Sequence, residues 1–334
     1  MKHQTKKIEY RFGKAGSFAP LLAAALMILW AALSQSNVNG YVLAFFAALI
    51  TGVIFTKDEK AYGEALVYGL SKPMFGVIVL AVILAAVSGK LISASGVVQT
   101  IAVYVVEAGF TGRLFVAASF LITCLLAFAT GTSVGTYFVV IPILFPVGVM
   151  AGAAPAVMIG AIVGPISDTT IASSATQRAD LGTVVKTRMR YSLPAAAGAL
   201  LLFLLSAKTT EGFSENGITD VTEKPLSLVM LVVPVVIIAL CMMRKHLITA
   251  LSWGILSGVA AGLLSGIYKV EDLITFPGGF SVSGAVIEAV TGTAGTVAML
   301  IGVFSLLGVL ECSGFFEDVG ALLSRLAKTE RSTE

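Results

Sequence analysis

The chain has 334 residues, of which 57% are hydrophobic and only 12% are charged. Soluble domains carry about 25% charged residues, so this composition excludes a water-soluble globule of this size. The net charge of +3 is too small for a nucleic-acid-binding surface. A mean hydropathy of +0.95 indicates several membrane-spanning helices. We therefore predict an all-α polytopic membrane protein in the inner or plasma membrane, with lipid as its surroundings and no nucleic-acid partner.

Seven uncharged runs approach the length of about 20 apolar residues that a helix needs to cross a bilayer. These runs are 18–33, 41–56, 73–89, 191–206, 226–243, 247–267 and 289–310. Lysine and arginine in short loops favour the cytoplasmic side. The N-terminal segment 1–17 contains five basic residues, so we place the N-terminus in the cytoplasm.

These runs also predict the organisation of the chain. The cytoplasmic segment 1–17 is followed by two peripheral helices in 18–72, a first repeat in 73–190, connecting helices in 191–285 and the start of a second repeat in 286–334. Residues 97–112 either span the membrane or lie at its interface, and the pattern leaves both alternatives open.

The segment Leu114–Gln177 is the unusual part, because Asp168 is its only charged residue. It is too long for one span, and two polar, glycine-bearing stretches interrupt it at Thr130–Thr136 and Gly164–Thr170. Proline and glycine break a helix there, and broken backbone inside a bilayer is tolerated only where protein buries it or a polar cavity borders it. We predict a re-entrant hairpin over 114–153 and a discontinuous spanning helix over 155–177.

Residues 71–101 and 290–319 align as a candidate internal repeat; the matches are few and mostly glycine, so a chance similarity is the alternative. The matched positions are Gly76 with Gly295, Gly89 with Gly308, and Ser95-Gly96 with Ser313-Gly314. The charge bias gives the two copies opposite directions, which is typical of inverted-repeat secondary transporters. Counterparts of the two polar stretches would fall beyond Glu334, so we expect an incomplete second repeat. On this interpretation the chain is a fragment or a half-subunit and has no transport activity of its own. A homodimer partner or a separate second half would complete it.

Asp168 is the residue that we expect to carry the chemistry, because carboxylates inside a membrane are costly and usually functional. Hydroxyls and the carbonyls freed by a broken helix are hard oxygen ligands that suit Na⁺. The carboxylate accepts either a cation or a proton, which is a physical basis for exchange. The structural alternative is that Asp168 only caps the half-helix 169–177. The candidate Na⁺ ligands are Thr132, Ser133, Ser167, Asp168 and Thr169, supported by Thr130, Gly131, Gly135, Thr136, Pro165, Thr170 and Ser173.

The stretch Gly131-Thr132-Ser133-Val134-Gly135 matches the GxSxG pattern of serine hydrolases. A serine nucleophile needs a neighbouring base. Neither histidine lies in an apolar run, and no lysine occurs between Lys90 and Lys186. We therefore expect a transporter without catalytic residues or cofactors, with Na⁺ and H⁺ as coupling ions.

Two stretches resemble the NhaC-type sodium/proton antiporter family of the ion transporter superfamily. They are ATGTSVGTYFVVIPILFPV (129–147) and GPISDTTIASSATQRADLGTVVKTRMRYSLP (164–194). The resemblance implies Na⁺/H⁺ antiport, or exchange of an organic acid coupled to those ions, and points to the same serine, threonine, glycine and aspartate positions. Two departures concern the coupled ion: Val134 replaces a tryptophan, and Ala161–Gly164 replaces an Asp-His-Cys-Ser run. The alternative function is a cation-coupled carboxylate or amino-acid carrier on the same scaffold.

Overall fold

The computed structural model describes residues 8–130, 133–162, 181–206, 224–279, 281–321 and 324. Most of them are helical. The first half contains α1 (Lys14–Ser17), α2 (Ala19–Leu33), α3 (Val38–Phe55), α4 (Glu59–Leu70), α5 (Pro73–Ala94), α6 (Val97–Glu107), α7 (Gly112–Thr130), α8 (Ser133–Met150) and α9 (Pro155–Ile162). The second half contains α10 (Leu181–Ser206), a 3₁₀ helix (Pro225–Leu231), α11 (Val232–Met242), α12 (Leu247–Leu264), α13 (Val270–Leu273), β1 (Thr275–Gly278), β2 (Ser281–Ser283), α14 (Ala285–Gly292) and α15 (Ala294–Cys312).

Five helical segments in the described ranges are long and apolar enough to cross a membrane. They are α3, α5, the 3₁₀ helix with α11, α12, and α14 with α15. A further apolar pair, α6 and α7, is bent by 117° at the short break between its helices. The chain is therefore an all-α polytopic membrane protein, as its composition predicts. The spans lie where five of the uncharged runs occur, because a continuous apolar run is stable in lipid only as a helix.

Helix α10 begins earlier than the apolar run at 191–206 indicates. The chain is helical from Leu181 onward, so the helix includes the basic residues Lys186, Arg188 and Arg190. Lysine and arginine are good helix formers, so the basic stretch extends the apolar helix instead of ending it. Pro194 lies inside this helix and removes one of its backbone donors.

The described residues divide between two compact units, residues 1–80 with 292–334, and residues 81–291. In the first unit, α2 packs on α3, and α15 packs on both α3 and α4. The crossing of α4 and α15 is close at Gly69 and Gly308, where a Cβ built on Gly308 would lie 2.6 Å from the amide nitrogen of Gly69. Small residues of this kind let helix backbones approach each other in membrane proteins.

A charged contact holds the ends of α4 and α15 together. The Lys72 ammonium group forms an ion pair with the Glu311 carboxylate. The Tyr68 hydroxyl donates a hydrogen bond to the same carboxylate, with 3.2 Å between the two oxygens. The negative charge of Glu311 and this hydrogen bond raise the pKa of Tyr68 above its ordinary value. Glu311 thus contacts both a cation and a hydroxyl group of the α4 end.

The second unit has one large apolar core. Its largest fully buried side chains include Leu91, Val116, Met158, Val233 and Leu251. A polar contact joins α6 to the 3₁₀ helix inside this unit: the Thr100 and Ser227 hydroxyl oxygens are 3.1 Å apart, and the Lys224 amide donates to Thr100. Both hydroxyl-bearing residues are buried, so each satisfies the hydrogen-bonding requirement of the other.

The aligned Ser-Gly pairs form turns of the same geometry. At the end of α5, the Ser95 hydroxyl donates to the carbonyl oxygen three residues earlier at 2.7 Å, and Gly96 has a φ of +83°. At the end of α15, the Ser313 hydroxyl donates to the carbonyl three residues earlier at 2.8 Å, and Gly314 has a φ of +76°. A helix follows each turn, α6 in the first case and residues 315–321 in the second. Their opposite orientation in the membrane stays a prediction from the charge bias.

Candidate functional site

The structure describes part of the first predicted polar break. Thr130 is the last residue of α7, Ser133 begins α8, and Gly135 and Thr136 follow in the first turn of α8. The other predicted site residues lie outside the described ranges; they are Gly131, Thr132, Pro165, Ser167, Asp168, Thr169, Thr170 and Ser173. The described residues nearest to the predicted cation site are those of α7, α8, α9 and α10, the helices that flank the two breaks.

Thr136 is buried in the first turn of α8. A hydroxyl-bearing side chain beside the first break thus lies inside the protein and not against lipid. One turn and a half later α8 reaches Pro142, which packs against α5 at Gly89: a Cβ on Gly89 would lie 3.1 Å from the Pro142 Cβ. Pro142 and Pro146 both lie inside α8, where proline removes a backbone donor.

The ends of α7 and α8 farthest from the break are held together. The Gly112 amide at the start of α7 donates to the Ala151 carbonyl just after α8, with 2.8 Å between nitrogen and oxygen. Gly148 permits close packing there, because a Cβ on it would lie 2.6 Å from the Met158 sulfur of α9 and 3.0 Å from the Phe115 ring. The two arms of the predicted hairpin and the helix after them therefore share one packed base.

Helix α9 leads towards the second polar break from inside the core. Its last residues, Ala161 and Ile162, are fully buried. Helices α7, α8 and α9 all contact one another, and α10, which follows the second break, packs on α7. The Phe120 and Phe203 rings, on α7 and α10, have centroids 5.4 Å apart. The helices on both sides of the two breaks thus belong to one bundle, as a site assembled from two broken segments requires.

Two further hydroxyl groups on α7 were missed in the sequence. Ser119 and Thr123 are both fully buried, one helical turn apart on the same face. The Thr123 hydroxyl donates to the Ser119 carbonyl at 2.8 Å. The Ser119 hydroxyl has no hydrogen-bond partner among the described residues. The sequence feature that could have revealed them is the spacing of two hydroxyl-bearing residues at i and i+4 within an apolar run. Ala127, four residues further on, is on the same helix face and is also buried.

An unpartnered buried hydroxyl is costly, and such groups in native proteins often mark an unobserved water or ion. Serine in a membrane helix commonly donates to its own helix backbone. Ser119 differs from Ser88 on α5 in this respect, since the Ser88 hydroxyl donates to the Leu84 carbonyl at 2.6 Å. Ser119 is therefore a buried polar group of this bundle whose hydrogen-bonding requirement the described residues do not meet.

Charged groups are sparse around this bundle. In the described part of the chain, no group of three or more histidine, cysteine, aspartate or glutamate side chains is close enough to hold a metal ion. Lys90 at the end of α5 pairs with Glu288 of α14, with 2.8 Å between Nζ and Oε2. Near the first break, the described helices place the buried hydroxyl group of Thr136.

Residues 7–208 match the model of the Na⁺/H⁺ antiporter family. The chain belongs to this family. The matched region contains both polar breaks and all the helices from α1 to α10, so it includes the whole bundle described above. The resemblance predicted from the motifs is thereby confirmed. Members of the family are transporters, which agrees with the expectation that the GxSxG match does not mark an enzyme.

Among characterised proteins, the chain is similar to a malate-2H⁺/Na⁺-lactate antiporter of Bacillus subtilis (strain 168). The two sequences are 27% identical over 304 residues, which cover 84% of this chain and 63% of the relative. The chain thus spans a little under two thirds of the length of that relative. No solved structure matches the chain.

Proposed function

We propose that the chain is the ion-binding part of a secondary transporter that exchanges Na⁺ for protons. The observation that carries this proposal is the family match, which encloses both polar breaks. The packing of α7, α8 and α9 supports it, because a midplane ion site needs the helices around two broken segments to share one bundle. Family membership supplies the class of transport, and Asp168 is our assignment within it.

In this proposal Asp168 binds either a cation or a proton. Ser167, Thr169, Thr132 and Ser133 supply neutral oxygen ligands, which suit a small hard cation. A carboxylate in hydrocarbon is strongly favoured to be neutralised, and Na⁺ and H⁺ each do so. Because the two ions compete for one group, the site is occupied by one or the other, and this competition couples their movements.

The decisive substitution is Asp168→Asn. Asparagine caps a helix about as well as aspartate, so a purely structural capping role survives this change. A charge-dependent role does not. Everted vesicles that contain the transporter should show Na⁺-dependent proton movement, and the Asp168→Asn variant should lose it. Glu107→Gln is the matched control, because Glu107 is an exposed carboxylate at the end of α6.

Ion binding can be measured separately from transport. A ligand that binds only the folded state stabilises it by about 2.7 kcal/mol at a concentration 100 times its Kd. Na⁺ should therefore raise the unfolding temperature of the purified chain and of the Glu107→Gln variant, but not that of Asp168→Asn. Retained Na⁺ stabilisation and retained transport in the Asp168→Asn variant would refute the assignment.

A second candidate is exchange of a small organic acid coupled to Na⁺ or H⁺. The printed function of the Bacillus subtilis relative, malate-2H⁺/Na⁺-lactate antiport, favours it. Proteoliposomes loaded with lactate and exposed to malate distinguish the two candidates. Substrate-stimulated Na⁺ movement would select a carboxylate carrier, whereas Na⁺-driven proton movement that does not depend on either acid would select simple cation exchange. Amino acids in place of malate test the remaining substrate class.

A further inference from the structure

The connection between α12 and α14 contains a two-stranded ribbon, β1 with β2, whose base is fixed. Tyr268 is buried in the core of the second unit, and its hydroxyl donates to the Leu91 carbonyl. Leu273, just before β1, is also buried. Gly284, just after β2, has a φ of +115°, and a Cβ on it would lie 2.7 Å from the Leu273 carbonyl carbon. The residues that flank the ribbon are therefore packed within the second unit.

The pairing of the strands gives the ribbon two different faces. Thr275 lies opposite Ser283, so these two side chains share one face. The register shifts between Thr275 and Gly278, but Phe276 and Val282 are the immediate neighbours of the Thr275–Ser283 pair, so alternation places both on the other face. Ser281 lies on the side of Ser283. One face of the ribbon is therefore apolar, and the other carries hydroxyl groups.

The apolar face is uncovered in the structure. Phe276 is 75% exposed, and Val282 is also exposed. The sequence from 273 to 287 contains no charged residue, whereas Lys269, Glu271 and Asp272 come immediately before it. A water-exposed ribbon of this composition would place an aromatic ring in water without any compensating contact.

The position of the ribbon along the chain says what covers this face. It follows α12 and precedes the segment α14 with α15, and both are spanning segments. Leu264, at the end of α12, is 90% exposed, as expected for a side chain that faces lipid. The base of the ribbon is tied by Tyr268 to Leu91, which lies near the end of the spanning helix α5. Aromatic side chains concentrate at this depth of a bilayer, and amphipathic elements lie in its plane with their apolar face towards the acyl chains.

We propose that the β1–β2 ribbon is a lipid-interface anchor, with Phe276 and Val282 inserted among the lipids at the level of the headgroups and the upper acyl chains, and the hydroxyl face turned to water. A second copy of the chain is a poorer occupant, because two side chains cannot supply the roughly 800 Å² per partner that a stable protein interface buries. The anchor holds the junction between α12 and α14 at one depth in the membrane, independently of which ion the transporter carries.

Single-tryptophan fluorescence tests the proposal in the full chain. Trp30 and Trp253 are the only tryptophans, and both are replaced by phenylalanine. Phe276→Trp then reports on the apolar face, and Ser281→Trp is the matched control on the exposed hydroxyl face of the same ribbon. Each variant is reconstituted in phosphatidylcholine liposomes with or without lipids brominated near the carbonyl end of the acyl chains, and acrylamide is the aqueous quencher.

The expected result is a blue-shifted emission for the Phe276→Trp variant, with strong quenching by brominated lipid and weak quenching by acrylamide. The Ser281→Trp variant should show the reverse. Equal acrylamide quenching of both variants would overturn the proposal, because the ribbon would then lie in water. Protection of the Phe276→Trp variant from both quenchers would also overturn it, because protein would then cover the face. These outcomes do not depend on transport activity, so they stand apart from the test of Asp168.

Discussion

At the end of α5 the Ser95-Gly96 turn leads into α6, and at the end of α15 the Ser313-Gly314 turn leads into the helix at 315–321. The two serines make the same hydrogen bond to the carbonyl three residues earlier, and the two glycines have φ values within ten degrees of each other. The neighbours of the turns differ. Lys90 precedes the first turn and pairs with Glu288, whereas Glu311 precedes the second and pairs with Lys72.

The glycine that precedes each turn shows the same contrast. Gly89 on α5 faces the side chain of Pro142, whereas Gly308 on α15 faces the backbone of α4 at Gly69. The residues that determine the backbone, serine and glycine, are thus alike in both regions, and the charges and packing partners are not. This is the pattern expected when one helix-turn-helix unit is used in two environments, and it locates the differences in specific contacts.

The largest difference in unfolding free energy between the two regions should appear when Gly308 and Gly89 are each replaced by alanine. Gly308→Ala places a methyl group against backbone that cannot move aside, so the free energy of unfolding should fall by about 3 kcal/mol. Gly89→Ala meets the Pro142 side chain at 3.1 Å and should cost about 1 kcal/mol. Chemical unfolding in mixed micelles measures both.

Gly76→Ala is the control for these two variants, because a Cβ on Gly76 has nothing within 4 Å. The better helix propensity of alanine should make this change stabilising by about 0.5–1 kcal/mol. Equal unfolding free energies for Gly308→Ala and Gly76→Ala would show that α4 and α15 do not cross as closely as described.

The two turn glycines should respond alike. Gly96→Ala and Gly314→Ala each force a β-carbon into the left-handed region, at a cost of about 1–2 kcal/mol. Asparagine adopts this region more readily, so Gly96→Asn and Gly314→Asn should be milder. The unfolding free energies of all four variants are compared under one set of conditions. A large cost at one turn and none at the other would break the equivalence of the two regions.

Helix α7, the first arm of the predicted hairpin, offers a test of function. If the Ser119 hydroxyl serves an ion or its water, Ser119→Ala should lower transport roughly tenfold, the loss expected for one hydrogen bond to a charged partner. Removal of an unsatisfied buried group should at the same time leave stability unchanged or raise it by about 1 kcal/mol.

Ser88→Ala is the matched control, since that hydroxyl is buried but already donates to its own helix. It should leave transport unchanged. Flux assays and unfolding measurements on the Ser119→Ala and Ser88→Ala variants distinguish an effect on transport from an effect on stability. Unaltered transport in the Ser119→Ala variant would show that this hydroxyl has only a packing role.

The smallest effects should come from the two ion pairs. Their side chains are partly exposed, so Lys72→Met and Lys90→Met should each lower the unfolding free energy by at most about 1 kcal/mol. Both losses should shrink as salt is added, because screening weakens exposed pairs. Double-mutant cycles with Glu311→Gln and Glu288→Gln measure the two couplings, and a coupling that salt does not alter would indicate a pair more sheltered than the structure shows.

Much of the fold could be predicted from apolar runs and local signals. A long uncharged run has one stable form in lipid, so the positions of α3, α5, α12 and α15 followed from hydropathy. The Ser-Gly pairs were visible as sequence matches, because a left-handed glycine after a helix is a local requirement. The extension of α10 through its basic residues was not predicted, since charge indicates a side of the membrane but does not end a helix.

The candidate site was less accessible from sequence. The polar breaks and Asp168 stood out because they interrupt apolar sequence. Ser119 and Thr123 did not, because a hydroxyl in an apolar helix usually bonds to its own backbone, and only burial and the missing partner distinguish Ser119. Lys72 and Glu311 are 239 positions apart, so no local pattern reveals their contact. The amphipathic ribbon was missed because its strands have only four and three residues.

The two prolines of α8 have a mechanical consequence. Pro142 and Pro146 have no N–H to offer the carbonyls of Phe138 and Pro142, so this arm already lacks two backbone hydrogen bonds that a regular helix would make. Bending there breaks nothing further. Helix α7 contains no proline and is the stiffer arm. Of these two helices, α8 is therefore the one expected to bend more easily, at Pro142 and Pro146.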